Sequence, residues 1–325
     1  MTATRRATRG TTSGTTREAI HQATCAPIPR IALLSALPIA AALALGPSCA
    51  ARAQSAADGA VLTARRVDDS ASFKIFNARG SVRVVGWEHD SLLVRGRLAR
   101  PGSFGISGDA RGMKLVIDDD SGRGGAGPRP AQLVIYLPRH ARASIRAVNA
   151  DVDLVDAGGW IYTITGTVHV SGTAGPIEIE SMRGPVEVDA RTPWLRVRGG
   201  DGAVVVRGAP QDADVSTIAG PLDVAADGIV RGQFGSVSGD VRYTGTPVPG
   251  GIYDFSNHSG AIDLRLPADA SAALALSNVM GPIENGFTRV RPLASAPNTM
   301  RLTLGAGEAQ VMARSFRGAI RVRPR

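Results

Sequence analysis

Cysteine occurs only at positions 25 and 49, so everything beyond residue 50 can form neither a disulfide nor a thiolate metal site. Lysine is almost missing as well; Lys74 and Lys114 are its only instances, and arginine carries nearly all the positive charge. Aromatic residues make up 4% of the chain. With so few stacking rings, and with arginines scattered among acids, the footprint of a nucleic-acid binder is missing. No stretch after residue 54 shows the 3.6-residue apolar period of a helix. The one long apolar run, 31–46, is interrupted by Pro38 and is too short for a membrane span.

That run has a different meaning in its context. Residues 1–30 are rich in Arg and Thr, the apolar run follows, and small residues come next in "PSCAARAQSAADG". This order is that of a secretory leader, and Ala51-Arg52-Ala53 places cleavage before Gln54. Arg5-Arg6 lacks the apolar residues of a twin-arginine signal, and Cys49 lacks the preceding leucine of a lipoprotein signal. The expected mature chain is exported, without a transmembrane segment. The net charge of +9 falls once residues 1–53 are set aside, because six arginines and one glutamate go with them. From 37 basic and 28 acidic residues, 31 and 27 remain, about +4.

What the chain does have is a beat. "GPIEI" at 175–179 returns as "GPVEV" at 184–188, and both belong to a longer series. "TITGTVHV", "SMRGPVEV", "GGDGAVVV", "TIAGPLDV", "SVSGDVRY", "NHSGAIDL", "NVMGPIEN" and "SFRGAIRV" centre on Gly166, Gly184, Gly202, Gly220, Gly239, Gly260, Gly281 and Gly318. An early copy, "NARGSVRV", centres on Gly80. The third residue before the glycine is usually Ser, Thr or Asn, and the second before is often apolar (Ile164, Met182, Ile218, Val237, Val279, Phe316). The second and fourth after it are apolar, the period-2 signature of a strand with one buried face. The glycine itself marks a corner that needs positive φ or close backbone approach. Pro176, Pro185, Pro221 and Pro282 stand where a strand begins, a tolerated place.

Two short strands per turn of 18–21 residues, without helices, predict an all-β parallel β-helix (β-solenoid). A β-sandwich is the competing architecture, but its hairpin signals (226–228, 284–286) fall between the beats, and the fixed period favours the solenoid. The predicted organisation is a leader over 1–53, a flexible linker over 54–69, an N-terminal β cap with some antiparallel pairing over 70–146, and solenoid repeats over 147–325. "DSGRGGAGPRP" at 120–130 reads as a loop.

With this grammar on the page, the chain resembles the bacterial family labelled putative adhesins, itself related to GIN-type autotransporter adhesin heads. "FNARGSVRVVGWEHDSLLVRG", "QLVIYLP", "SVSGDVRYTG" and "SNHSGAIDLRLP" carry the resemblance, over about residues 70–325. It implies an exported β-helix and brings no catalytic residues with it.

Candidate chemistry is sparse. The third residue after each glycine should point outward: His169, Glu187, Val205, Asp223, Arg242, Asp263 and Glu284. Asp263 and Glu284, on adjacent turns, would be the carboxylate pair of a glycosidic site, although water-facing polar residues account for the ladder equally well. Asp118, Asp120 and Gly122 echo a calcium loop but lack its distal acidic ligand. His89, His140, His169 and His258 have no metal-ligand spacing. Trp87, Trp160 and Trp194 could stack on sugar, though isolated ring residues in strand patterns more often pack or cap. The sequence therefore implies no catalytic residue, no metal and no cofactor. It suggests a non-catalytic structural or binding module of the cell envelope, with carbohydrate, envelope material or another protein as ligand. A carbohydrate-active β-helix enzyme and a ligand-free scaffold are the alternatives.

Overall fold

A computed structural model describes residues 60–100, 103–118, 130–173 and 175–325. These residues contain twenty-five β-strands. The first seven are β1 (Ala60–Arg66), β2 (Ser72–Trp87), β3 (Ser91–Arg97), β4 (Phe104–Asp109), β5 (Gly112–Ile117), β6 (Ala131–Pro138) and β7 (Arg142–Val155). The regular coils follow as strand pairs: β8 (Gly158–Thr165) with β9 (Val168–Thr173), β10 (Ile177–Ser181) with β11 (Val186–Arg191), and β12 (Trp194–Gly199) with β13 (Val204–Gly208). Next come β14 (Asp212–Thr217) with β15 (Leu222–Ala226), β16 (Arg231–Ser236) with β17 (Val241–Thr244), and β18 (Ile252–Asn257) with β19 (Ile262–Leu266). The last six are β20 (Ala272–Asn278), β21 (Ile283–Asn285), β22 (Ala294–Ala296), β23 (Thr299–Leu304), β24 (Ala309–Ser315) and β25 (Ile320–Pro324).

Each coil lays its first strand on one face and its second on the other. Even strands from β8 to β18 stack in parallel on the first face, and odd strands from β9 to β19 on the second. The expected parallel β-solenoid is the observed fold. Its register is the one the repeat dictates: Val186, Val204, Leu222, Val241 and Ile262 are successive partners, all buried. Phe234, Tyr243, Tyr253 and Phe255 thicken the core between the later coils, with ring centroids 5.2–5.9 Å apart.

Both ends depart from chain order. β2 and β7 are long enough to cross both faces, and β2 lies between β7 and the pair β5/β6. At the other end β24 lies between β18 and β20, and β25 between β19 and β21. At the C-terminal end the chain lays down the outer rung β20/β21 first and later returns to fill the gap. At the other end β2 comes first and gains β5/β6 on one side before β7 on the other. Antiparallel pairs are confined to these ends: β1 on β3, β3 on β6 and β4 on β5 at one, β22 and β20 on β23 at the other. Residues 60–66, inside the stretch read from sequence as a linker, form strand β1, because seven backbone positions there pair with β3. The leader and cleavage site expected from the sequence fall outside the described residues.

The corner after each first-face strand explains the repeat grammar. A Cβ on Gly184, Gly202, Gly220, Gly239 or Gly260 would come within 1.7–2.2 Å of the carbonyl oxygen of the preceding coil's glycine. Only hydrogen fits there. The Ser, Thr or Asn three residues earlier is buried and ties the corner shut. Ser181 and Thr217 donate their hydroxyls to the carbonyls of Gly184 and Gly220 at 2.8 and 2.7 Å. Asn257 accepts from the Gly260 amide at 2.9 Å and donates to the Gly239 carbonyl, one rung away, at 2.8 Å. These bonds satisfy polar groups that the core would otherwise strand. The apolar residue between them points outward. Met182, Ile218, Val237 and Val279 are each more than half exposed, and Ile164 is 37% exposed.

Candidate functional site

The outward positions of the first face change character along the solenoid. Over the early rungs they are aromatic and cationic. Phe76 on β2 faces Arg146 on β7, and Arg146 faces Tyr162 on β8, each pair in register. Trp160 and Tyr162 alternate outward on one strand and stack with centroids 6.0 Å apart and planes 22° apart. The Arg146 guanidinium lies 5.2 Å from the Trp160 ring centre and 5.9 Å from that of Phe76. Lys114 on β5 extends the array, 5.2 Å from Phe76. Such cation–π contacts fix ring orientation while leaving aromatic surface open.

A recess of about 600 Å³ opens beside this array. Trp160 forms one wall, and Arg139, His140 and Arg142 lie on the rim. Its floor is flat because Gly158, Gly159 and Gly175 meet there; a Cβ on Gly159 would strike the Ala143 carbonyl oxygen at 2.0 Å. Arg139 is paired with Glu88 at 2.9 Å, and His140 with Asp69 at 2.9 Å. Arg142 and Arg146 have no carboxylate within pairing distance among the described residues. An apolar wall, a flat floor and unpaired guanidiniums suit a ligand with one apolar face and acceptor groups at its edge.

Further along the same face the outward positions turn into a charge network. Arg196 approaches Glu178 at 3.6 Å and Asp214 at 3.4 Å, and Arg198 holds Asp214 at 2.8 Å. Arg314 pairs with Asp254.

The second face carries the ladder expected from the repeat. His169, Glu187, Val205, Asp223, Arg242 and Asp263 are successive register partners. The adjacency of Asp263 and Glu284 is corrected, however. β25 separates their strands, and Arg321 stands between them, bonding Glu284 at 3.1 Å. Arg242 stands in register between Asp223 and Asp263 but pairs only with the first. Arg242 approaches Asp223 at 3.8 Å, whereas Asp263 receives two bonds from Arg323, at 2.9 and 3.0 Å, and two longer ones from Arg265, both at 3.3 Å. The inserted C-terminal strand supplies the partner that a strictly sequential stack would not.

The three tryptophans are not brought together. Trp87 lies against Tyr136 at 5.1 Å and His89 at 4.9 Å, and donates its indole N–H to the Ser91 carbonyl at 2.8 Å. Trp194 is half-buried beneath Arg196, two coils beyond Trp160 on the same face. The four histidines are dispersed, and no cluster of three metal-ligating side chains occurs among the described residues. Asp118 follows the last residue of β5, and the rest of the 118–122 run lies outside the described residues. Sequence reasoning missed Tyr162, Arg146 and Phe76 as neighbours of Trp160. The alternation in "GGWIYTIT" places Trp160 and Tyr162 on one side, but only the β2–β7–β8 order brings the other two beside them.

No family model and no curated protein matches this chain. Among solved structures it is similar to a putative adhesin from Bacteroides fragilis, with 11% identity, TM-score 0.42, and 81% of this chain and 96% of that one covered. A putative lipid binding protein from Parabacteroides distasonis is similar at 9% identity and TM-score 0.41, covering 80% and 95% of the two chains. A putative adhesin from the same organism is similar at 12% identity and TM-score 0.38, covering 80% and 96%.

Proposed function

We propose that the protein is an exported, non-catalytic binding module of the cell envelope whose ligand is carbohydrate, held on the Trp160 shelf. The observation that carries this reading is the outward stacking of Trp160 and Tyr162, with Arg146 over the indole, beside a glycine-floored recess rimmed by the unpaired Arg142. A pyranose ring has an apolar C–H face and a rim of hydroxyls. The indole receives the first, and the guanidiniums, with several N–H donors each, receive the second or an acidic substituent on it.

The volume falls within the range of small-ligand sites, about 300–1,000 Å³. It accommodates a few sugar units rather than a whole polymer. Outward strand carboxylates elsewhere, Glu178, Asp214, Asp223, Asp254, Asp263 and Glu284, are held in ion pairs with arginines, which supports binding over glycosidic chemistry at those positions. Glycan-array screening of the protein, followed by co-sedimentation with purified cell-wall polysaccharide, tests the proposal. Retention of saccharide ligands that is lost on Trp160→Ala supports it. Equal retention by the variant overturns the assignment of the shelf.

A further inference from the structure

The outward apolar residues at the glycine corners form a ridge along one edge of the solenoid. Backbone bonds fix their order: the amides of Met182, Gly200, Ile218, Val237, His258, Phe316 and Val279 each bond to the rung before. Val148 and Ile164 precede them, and Met280 flanks the far end. The ridge is rigid, since the residue beneath each of its members is a buried Ser, Thr or Asn tied into the corner in most coils. Two positions interrupt it: the exposed His258, stacked on Phe316, and Gly200, which leaves a notch between Met182 and Ile218 that opens into a depression of about 780 Å³.

We infer that this ridge is the contact surface of a two-fold dimer of the chain, with Ile218 on the axis. Three observations select a second copy as the occupant. The side chains recur at the strand spacing of about 4.8 Å, which another such ridge matches, whereas a helix surface repeating every ~5.4 Å falls out of step within a few rungs. The apolar members Val148, Ile164, Met182, Ile218, Val237, Val279 and Met280 are each 37–68% exposed, the aligned apolar surface that marks an interaction site. An antiparallel two-fold through Ile218 also makes the ridge self-complementary. It sets Val237 into the Gly200 notch, Met182 against His258, Ile164 against Phe316, and Val148 against Val279. The flanking charges agree with this register, because Asp201 then faces Ser238 and Arg183 faces Ser259, and no like charges meet. A parallel pairing would instead leave the two Gly200 notches facing each other, empty.

Sedimentation equilibrium of the full chain tests the inference. The wild type should sediment at twice the chain mass. Ile218→Asp, exposed and harmless to the fold, should sediment as a monomer with an unchanged circular dichroism melt. Because Ile218 meets its own mate, mixing Ile218→Asp with Ile218→Lys should restore the dimer. A wild type that stays monomeric up to about 100 μM overturns the inference. So does an Ile218→Asp variant that still dimerises, or a mixture that does not recover. A monomer that floats with phosphatidylglycerol vesicles, and loses this on Ile218→Asp, would overturn it by assigning the ridge to a lipid surface.

Discussion

Gly318 stacks on Gly260, fifty-eight residues earlier in the chain. A Cβ at 318 would fall 1.8 Å from the Gly260 carbonyl oxygen, while Gly281, the next repeat glycine in sequence, lies beyond Gly318. The C-terminal segment thus completes the stack by insertion. Gly318→Ala should cost about 3 kcal/mol or more, since the clash is with backbone and no side chain can give way. Chemical denaturation would measure it, and Gly105→Ala, where a Cβ meets nothing within 4 Å and φ lies outside the left-handed region, is the control. A similar loss in both would trace the effect to the glycine-to-alanine change itself and not to the close stacking at 318.

Register makes an equally sharp contrast between neighbours. Val224 is fully buried and Asp223, beside it, is outward and half-exposed. Val224→Asp should destabilise by about 3–5 kcal/mol, because an unpaired carboxylate enters an apolar core. Asp223→Asn should cost under ~1 kcal/mol. Urea denaturation of the two variants checks the pair together.

The ion pairs of the second face should differ in worth. Arg242 and Asp223 sit 3.8 Å apart with both side chains nearly half-exposed, so Arg242→Ala should shift stability by about 0–1 kcal/mol, an effect that shrinks with salt. Asp263 is mostly buried and held by two arginines. Asp263→Ala leaves those guanidiniums facing each other and should cost about 2 kcal/mol, with less salt dependence. Melting curves at low and high ionic strength separate the two cases.

Tyr243 gives a pH signature. Its phenol is buried, and its oxygen has no hydrogen-bond partner among the described residues, because the Tyr253 hydroxyl is committed to the Ile229 carbonyl and the Val248 amide. Burial, and then the proximity of Tyr253 and Asp227, push its pKa well above the ordinary tyrosine value. The protonated form is favoured in the folded state, so the associated stability is full below the unfolded value of about 10 and falls as pH rises above it. Tyr243→Phe should be neutral or stabilising near pH 7 and should flatten the alkaline loss; thermal melts between pH 7 and 11 would show both.

Much of this architecture was legible in the repeat. The apolar alternation gave the buried column from Val186 to Ile262, and the Ser, Thr or Asn before each glycine marked the corner bonds. The place of β2 between β5/β6 and β7, and the insertion of β24/β25, were not legible, because period-2 patterning sets which face a residue takes but not which rung its strand joins. Asp263 and Glu284 were misplaced for that reason. The binding shelf was half-visible: Trp160 stood out alone, while Phe76 and Arg146 reach it only through non-sequential strand order.

Calorimetric titration of saccharides retained on the glycan array, against wild type and Trp160→Ala, bears most directly on the carbohydrate reading. Wild type should bind with an affinity that Trp160→Ala reduces at least tenfold, about 1.4 kcal/mol, at unchanged melting temperature. Saccharide binding that is indifferent to Trp160, or a wild type that binds no saccharide, would contradict it.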